Sequence, residues 1–325
     1  MEGSMTQCNL LINGDVLEGF VPSKLNSKTM QRTVKLPDGI TTIGTGAMMR
    51  FRCERLVMPP SLTTIKSAAF CYSDIDVIDF SGCKLKRIED QAFVDCKTNP
   101  KATLPDTVEF IGTQAIKGLY SKRTGKITLP RSLRYIDKFA VDLRDIGVLE
   151  VEESLVTKQS GLEELILFTQ DDVSDRKWLI LNVRRNGKLV ARAPFSFFEW
   201  YNKHKIHFIC ENDFNYSTYD YWFDNSRDQQ LKATIGAFRA MFPRNKRAYV
   251  NFYRDHVIDN FCALMRGFEE DTETIKFYDE AGFATPDHLM QLLENARKKN
   301  NVDVTATILD LLNSKNRTAE KSLVL

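Results

Sequence analysis

The side chains in this sequence with the clearest potential for chemistry are histidines, thiols and clustered carboxylates. His204, His207 and Cys210 follow one another at intervals of three residues in an aromatic stretch, and these residue types can bind zinc. In an extended strand, residues three apart point to opposite faces, so neighbouring members of this set would not surround one ion. We therefore predict that no metal binds here and interpret the two histidines as partly exposed side chains.

The other candidates for acid–base catalysis lie in segments with a helical pattern. His256 is predicted to cap a helix or to face solvent, and His288 falls in the first turn of a predicted helix. Glu269, Glu270 and Asp271 precede a helix start, where negative charge interacts favourably with the helix dipole. The sequence contains no phosphate-binding glycine loop, nucleophile elbow or metalloprotease motif. It therefore predicts a protein that is not an enzyme and binds no cofactor.

The overall charge argues against a polyanionic partner. The chain has 325 residues, with 45 basic and 43 acidic side chains, so its net charge is only +2. A nucleic acid or an anionic membrane attracts a clearly basic surface. The N-terminal segment lacks a secretory signal, and no segment has the length and apolarity of a membrane span. We expect a cytoplasmic protein without nucleic-acid binding or membrane insertion; a leader upstream would instead indicate a secreted or cell-surface protein.

The dominant feature is an internal repeat. Five segments share an apolar residue, usually a proline, an isoleucine at a fixed offset, and an alanine followed by a bulky apolar residue. They begin at Leu36, Met58, Phe80, Leu104 and Leu129, so successive starts are 22, 22, 24 and 25 residues apart. The isoleucines are Ile43, Ile65, Ile88, Ile111 and Ile136. The alanine pairs are Ala47-Met48, Ala69-Phe70, Ala92-Phe93, Ala115-Ile116 and Ala140-Val141. A fixed period of this length predicts a solenoid.

Each repeat is expected to open with a short strand. In Leu56-Val57-Met58 the first and third side chains point to the same side, which faces the core. Pro59 then ends the strand at a position where ladder pairing stops. The chain turns, buries the isoleucine and passes through a short helical or irregular stretch. One repeat cannot bury its apolar face alone, but stacked repeats can, because each covers its neighbours.

This pattern resembles the BspA-like class of leucine-rich repeats, whose consensus runs LPxSLxxIGxxAFxxC. Ile43-Gly44 keeps the Ile-Gly pair, and Cys96 keeps the trailing cysteine. The third repeat departs from the consensus, with Ser81 in place of proline. The resemblance covers residues 33–152 and implies a leucine-rich-repeat solenoid.

The seven cysteines include no CxxC pair, which indicates reduced thiols and not a disulfide framework or a zinc site. Cys53, Cys83 and Cys96 occupy repeat positions where small residues are expected inside. Because free cysteine packs as a small apolar side chain, we predict that these three belong to the core.

The segments next to the repeats have different patterns. Residues 1–32 are expected to form an N-terminal cap hairpin that turns at Asn13-Gly14. Residues 153–223 are rich in aromatic side chains and predict a β-rich junction, with a hairpin that turns at Asn186-Gly187.

The sequence pattern over residues 224–316 predicts helices. Thr285-Pro286 is an N-cap followed by a first-position proline, and Gly282 is a helix stop. This part is similar to the ankyrin-like helical module that follows BspA-like repeats in many bacterial proteins, which implies a bacterial origin. Residues 317–325 are expected to form a disordered tail. The predicted fold class is α/β, a solenoid followed by a β-rich junction and an all-helical domain.

The strand face of the solenoid is the surface most suited to binding, because repeats present an extended surface to another protein. Residues that flank the inward strand positions should project from it: Lys35, Arg55, Val57, Asp79, Lys101, Thr103, Lys126, Thr128 and Glu150. Any single one of them could equally be an ordinary solvated strand residue.

Three functional hypotheses follow from these patterns. The leading one is a non-enzymatic scaffold that binds a protein partner through the strand face. The second, suggested by exported members of the BspA-like family, is a cell-surface adhesion or host-interaction protein. The third and least favoured is an enzyme with a site within residues 153–316, where no catalytic motif is present.

Overall fold

The computed structural model describes residues 9–21, 31–98, 103–119, 125–143, 146–157, 159–167, 178–196, 217–241 and 247–322. The chain divides into two compact units. The solenoid unit comprises Met1–Val190 and Phe195–Phe214, and the helical unit comprises Ala191–Pro194 and Asn215–Leu325. The finer division into five parts stays a prediction.

The described strands run in the following order: β1 Asn9–Asn13, β2 Val16–Val21, β3 Gln31–Lys35, β4 Thr42–Ile43, β5 Arg52–Val57, β6 Thr64–Ile65, β7 Asp74–Asp79, β8 Arg87–Ile88, β9 Phe110–Ile111, β10 Lys126–Thr128, β11 Tyr135–Ile136, β12 Val148–Glu152, β13 Trp178–Arg185 and β14 Lys188–Ser196. A short 3-10 turn covers Glu153–Leu155, and α1 covers Leu162–Leu167. The strands form three sheets, with orders β1-β2-β4-β6-β8-β9-β11, β3-β5-β7 and β10-β12-β13-β14. The α/β solenoid expected from the repeat is confirmed.

The repeated isoleucines form a second ladder of their own. Ile43 pairs with Ile65, Ile65 with Ile88, Ile88 with Ile111, and Ile111 with Ile136, all in parallel register. Each of the five is fully buried, as the repeat predicts. The sequence indicated only a buried turn residue at this point, whereas the structure gives it a two-residue strand.

The alanine pairs lie on a third side of each turn, which is irregular and not helical. Ala68, Gln91 and Gln114 have φ values of 56°, 59° and 53°, in the left-handed region. Their N–H groups each donate to a carbonyl of the next turn, at 3.0, 2.7 and 3.1 Å. Inside this side, the rings of Phe70 and Phe93 stack with centroids 5.0 Å apart. Neighbouring turns are thus joined on all three sides, and the alanine pairs are buried as predicted.

Core packing of the repeat cysteines is confirmed. Cys53, Cys83 and Cys96 are buried, and so is Cys71. Burial raises the pKa of the Cys96 thiol to about 12, which keeps it protonated. Cys8 and Cys210 lie outside the described residues.

Both predicted hairpins are present. β1 and β2 pair antiparallel around Gly14, and β2 continues in parallel pairing with β4. Between β13 and β14, Asn186 and Gly187 have φ values of 53° and 77°. Two successive positive φ values are typical of the type I′ turn that an Asn-Gly pair favours. β13 pairs in parallel with β12, which extends the last sheet of the solenoid.

The helical unit contains α2 Ser217–Asn225, α3 Gln229–Met241, α4 Arg247–Asp259, α5 Phe261–Leu264, α6 Thr272–Glu280, α7 Pro286–Lys298 and α8 Val302–Ser322. Thr285 caps α7 as predicted, and His288 completes a capping box. The predicted disordered tail is corrected over Arg317–Ser322, which continues α8. Thr318 is followed by Ala, Glu and Lys, which favour helix, so helix propensity continues past the predicted end.

A network of polar side chains joins the first three helices of this unit. Arg239 on α3 is almost fully buried, and its Nε and Nη2 atoms lie 2.8 and 3.2 Å from the two carboxylate oxygens of Asp220 on α2. The hydroxyl of Tyr253 on α4 donates to Asp220 at 2.5 Å. Burial and this carboxylate raise the pKa of Tyr253. The network neutralises a buried charge and therefore has a structural role.

His256 lies on α4 of the helical unit and corrects the prediction of a solvent-facing or capping residue. Its ring meets Phe223 edge-on at 4.8 Å, and its Nε2 atom is buried and has no hydrogen-bond partner among the described residues. Burial and the positive charge of Lys232 lower the pKa of His256, while Asp259 acts in the opposite direction.

We expect the helical unit to lose stability as the pH falls below about 6.5, the ordinary pKa of histidine. The pKa of His256 is lower in the folded state, so the unfolded chain binds the proton first. His256→Phe should remove this pH dependence and raise stability by about 1 kcal/mol, because no unsatisfied nitrogen remains. Thermal unfolding of both proteins between about pH 5 and pH 8, the range in which histidine titrates, tests the prediction. Parallel curves of unfolding temperature against pH would contradict it.

Candidate functional site

Of the nine residues predicted to project from the strand face, seven fall into two groups on two sheets. Lys35, Arg55, Val57 and Asp79 lie on the β3-β5-β7 sheet. Lys126, Thr128 and Glu150 lie on β10 and β12 of the last sheet. Thr103 is exposed just before the buried Leu104, and Lys101 lies outside the described residues.

We define the anterior face as the outward side chains of Thr33, Lys35, Arg55, Val57, Val77 and Asp79. Two rows of three run across it. Thr33, Arg55 and Val77 are paired in register, and so are Lys35, Val57 and Asp79. Val77 is 41% exposed, although it is apolar. The face therefore combines apolar side chains with both signs of charge on a rigid parallel sheet.

Two ion pairs cross the anterior face or its edge between neighbouring turns. Arg55 on β5 pairs with Asp79 on β7, and Arg52 pairs with Asp74 at 3.1 Å. Both arginines are at least half exposed, so each pair contributes no more than about 1 kcal/mol to stability. Their main effect is to fix the positions of these charges on the surface.

Ser81 explains why the third repeat departs from the consensus. Its hydroxyl and its N–H both donate to the Asp79 carboxylate, and the N–H bond measures 2.9 Å. These two hydrogen bonds lower the pKa of Asp79, and the hydrogen bond from Arg55 lowers it further by a smaller amount. A proline at position 81 would have no N–H to donate. The substitution thus holds a negative charge on the anterior face.

Glu150 does not project from the solenoid, which corrects the expectation for this residue. It is 3% exposed. Its carboxylate meets Lys126 at 2.8 Å, Arg184 at 2.9 Å and the Thr128 hydroxyl at 2.9 Å. The reason is that β13 pairs beside β12 and covers Glu150. Strand alternation alone would leave this side chain exposed to solvent.

The surroundings of Glu150 determine its ionisation. Burial by itself raises the pKa of Glu150, but hydrogen bonds from Arg184 and Lys126 outweigh burial and lower the pKa to about 2. Glu150 is therefore a charged structural residue, and Lys126 and Thr128 are its partners.

Sequence reasoning missed a stack of side chains on the isoleucine ladder's sheet. The guanidinium of Arg87 lies 3.8 Å from the centre of the Phe110 ring, and Phe110 stacks on Tyr135 at 5.2 Å. Each precedes a repeated isoleucine, so aligning those positions is the signal that could have revealed the stack. Burial and the neighbouring Asp137 raise the pKa of Tyr135. The stack joins three successive turns.

The described residues contain no group of three or more His, Cys, Asp or Glu side chains placed to hold a metal ion. His204, His207 and Cys210 lie outside them. Glu270, expected to act on a helix dipole, pairs with Lys299 at 2.7 Å, and Asp271 caps α6 through the N–H groups of Glu273 and Thr274.

The spacing of strands, isoleucines and alanine pairs matches one known family. The family model for the BspA type leucine-rich repeat region matches residues 22–142, in six copies. Residues 22–142 are a BspA-type leucine-rich repeat region. The BspA-type repeats thus include one copy more than the five predicted from the sequence.

Repeats of the BspA type suggest protein–protein interaction or surface adhesion. The comparison with curated proteins finds no match for the chain. Within the part of the chain that the structure describes, no helix has both the length and the apolar character to span a membrane.

Proposed function

We propose that this protein is a non-enzymatic scaffold whose anterior face binds a protein partner. The observation that supports the proposal is the pair of in-register rows across β3, β5 and β7. In these rows the exposed Val77 and the partly exposed Val57 lie next to the paired charges of Arg55 and Asp79. A protein surface can cover the apolar part and pair with the charges around it. Lys126, Thr128 and Glu150 are left out of this binding surface, because Glu150 is buried.

The double substitution Lys35→Glu with Val77→Glu should reduce partner binding roughly tenfold or more, which corresponds to about 1.4 kcal/mol. The first change reverses a charge on the anterior face, and the second places a charge where an apolar contact forms. Affinity capture from the source organism, with quantitative mass spectrometry, measures which proteins the wild-type chain retains and the variant loses.

A matched control carries Lys66→Glu with Val302→Glu. Lys66 and Val302 are exposed and lie outside the anterior face, and the net charge changes by the same amount. The control should retain every partner of the wild type. Equal capture by all three proteins, each shown to be folded by circular dichroism, would contradict the role of the anterior face.

We further propose that the scaffold acts in the cytoplasm, with surface adhesion as the alternative. The support is the set of thiols at Cys71, Cys83 and Cys96, which are free in the structure and suit a reducing compartment. Labelling of intact cells with an impermeant amine reagent distinguishes the two. Labelled protein on unbroken cells would favour adhesion.

A further inference from the structure

The seven-stranded sheet of the solenoid unit has one open edge, at β1. β1 pairs with β2 on one side, and no strand of the described residues pairs with its other side. The opposite end of the sheet is covered, because the N–H of Ile136 on β11 donates to the Ser160 carbonyl at 2.7 Å. An unpaired edge strand presents N–H and C=O groups to which another strand can bind. The outer side of β1 is therefore a place where the sheet can be extended.

The side chains of β1 make this edge apolar and uncharged. Leu11 is 51% exposed and Ile12 is 43% exposed. None of the five residues of β1 is charged, and none is proline. Charged residues and prolines are the usual means by which proteins prevent an edge strand from pairing. β3, at the edge of another sheet, has this protection, since it carries Arg32 and Lys35, whereas β1 has none.

β1 is a regular strand, although the hairpin that contains it has a bulge. Leu11 lies opposite Gly19, whereas Ile12 lies opposite Leu17. The extra residue of the bulge is therefore Glu18, which belongs to β2 and not to the edge strand. Successive side chains of β1 consequently point to opposite faces of the sheet. Because Leu11 and Ile12 are both exposed, a strand added at this edge would cover apolar surface on each face.

The sequence of β1, Asn-Leu-Leu-Ile-Asn, is almost the same in both directions. Two antiparallel copies centred on Leu11 would place this residue opposite its own counterpart. The same register places apolar opposite apolar and amide opposite amide: Leu10 with Ile12, and Asn9 with Asn13. Cross-strand apolar pairs stabilise a sheet, and an asparagine amide both donates and accepts hydrogen bonds. The strand is thus complementary to a second copy of itself.

We propose that two copies of this protein associate through β1, by antiparallel pairing about Leu11 that joins their seven-stranded sheets. Such a contact has two-fold symmetry, so it closes after two copies. A five-residue strand gives a small contact, and the dimer is therefore expected to dissociate on dilution. The anterior face belongs to a different sheet, so the dimer carries two anterior faces. This self-association goes beyond the proposed scaffold function and does not depend on it.

Analytical ultracentrifugation of the full chain over a wide range of concentrations tests the proposal. We expect monomers in dilute solution and dimers, with twice the mass, in concentrated solution. Leu11→Lys places two ammonium groups opposite each other in the paired strands and should weaken self-association about tenfold or more. The matched control is Val77→Lys, which makes the same change at an exposed apolar residue of β7. This control should dimerise like the wild type.

A mixture of Leu11→Lys with Leu11→Glu tests the register. Each variant alone should remain monomeric where the wild type dimerises, whereas the mixture should form a heterodimer, because opposite charges then face each other. A change that only disturbed β1 would not be rescued in this way.

Hydrogen exchange provides a measurement that needs no variant. The amides of β1 in the wild-type chain should exchange more slowly as dimers form, and this result decides alone if the variants fail to fold. A wild-type chain that stays monomeric, or exchange of β1 that is independent of concentration, would overturn the proposal. So would a dimer that survives Leu11→Lys, an equal loss in Val77→Lys, or a mixture of folded variants that does not associate.

Discussion

Glu150→Gln is expected to lower the free energy of unfolding of the solenoid unit by roughly 3 kcal/mol, the usual cost of removing one partner of a buried ion pair. The substitution keeps the size of the side chain but leaves the ammonium of Lys126 and the guanidinium of Arg184 without their carboxylate. Leaving Arg184 without its carboxylate costs more free energy than leaving Lys126 so, because the side chain of Arg184 is only 15% exposed. Urea unfolding followed by circular dichroism at neutral pH measures the difference.

The ion pairs of Glu150 also predict how the stability of the solenoid unit depends on pH. The pKa of Glu150 is about 2 in the folded state and near 4.5 in the unfolded chain, so the unfolded chain binds a proton first as the pH falls. The stabilisation is therefore complete above pH 4.5 and is lost between pH 4.5 and about pH 2. Glu150→Gln should flatten the pH dependence of stability in this range.

The control for Glu150 is Glu153→Gln, which removes a carboxylate from the same region. Glu153 pairs bidentately with Arg185, whose side chain is 62% exposed. An exposed pair contributes little, so this variant should lose less than about 1 kcal/mol. Equal losses in the two variants would show that burial of Glu150 does not determine its contribution.

Gly118→Ala is expected to destabilise the solenoid unit by about 3 kcal/mol, at the upper end for overpacking. A Cβ atom at this position would lie 2.2 Å from the carbonyl oxygen of Phe93 and 2.7 Å from both N and O of Cys96. These are backbone atoms of the preceding turn, so no side-chain rotation relieves the clash. The N–H of Gly118 also donates to the Phe93 carbonyl, and separating the turns would weaken that bond.

Gly125→Ala provides the comparison. A Cβ atom added there has no heavy atom within 4 Å, and its φ is not in the left-handed region. Alanine also restricts the unfolded chain, which favours folding slightly. We expect a change within about 0.5 kcal/mol, typical of surface positions. Differential scanning calorimetry of both variants tests the contrast, and a Gly118→Ala protein as stable as wild type would refute the close approach of the turns.

The solenoid could be predicted because its signals are local and repeated. Ile65 and Ala69-Phe70 mark positions that every turn must bury, and the same offsets recur in each copy. The Asn186-Gly187 turn and the Thr285 cap were equally predictable, since each depends on only a few neighbouring residues. The left-handed backbone at Ala68 was not, because alanine has no intrinsic preference for positive φ and adopts it here through bonds to the next turn.

The candidate site was predicted only in outline. Alternation along a strand correctly placed Lys35 and Arg55 on the outside, but it also predicted exposure for Glu150. The strand that covers Glu150 comes about 30 residues later in the chain, and no local sequence pattern predicts where this strand will pair. His256 shows the same limitation, because its contact with Phe223 involves another helix.

The sequence by itself determined the period, the inward side chains and the turn and cap residues, because these are set by interactions between neighbours along the chain and between identical turns. The tertiary structure decided which outward residues stay accessible and which charges find partners. Glu150 gains its cations, and His256 packs its ring against Phe223, through contacts between segments distant in sequence. Burial and charge pairing depend on such contacts, whereas the alternation of side chains does not.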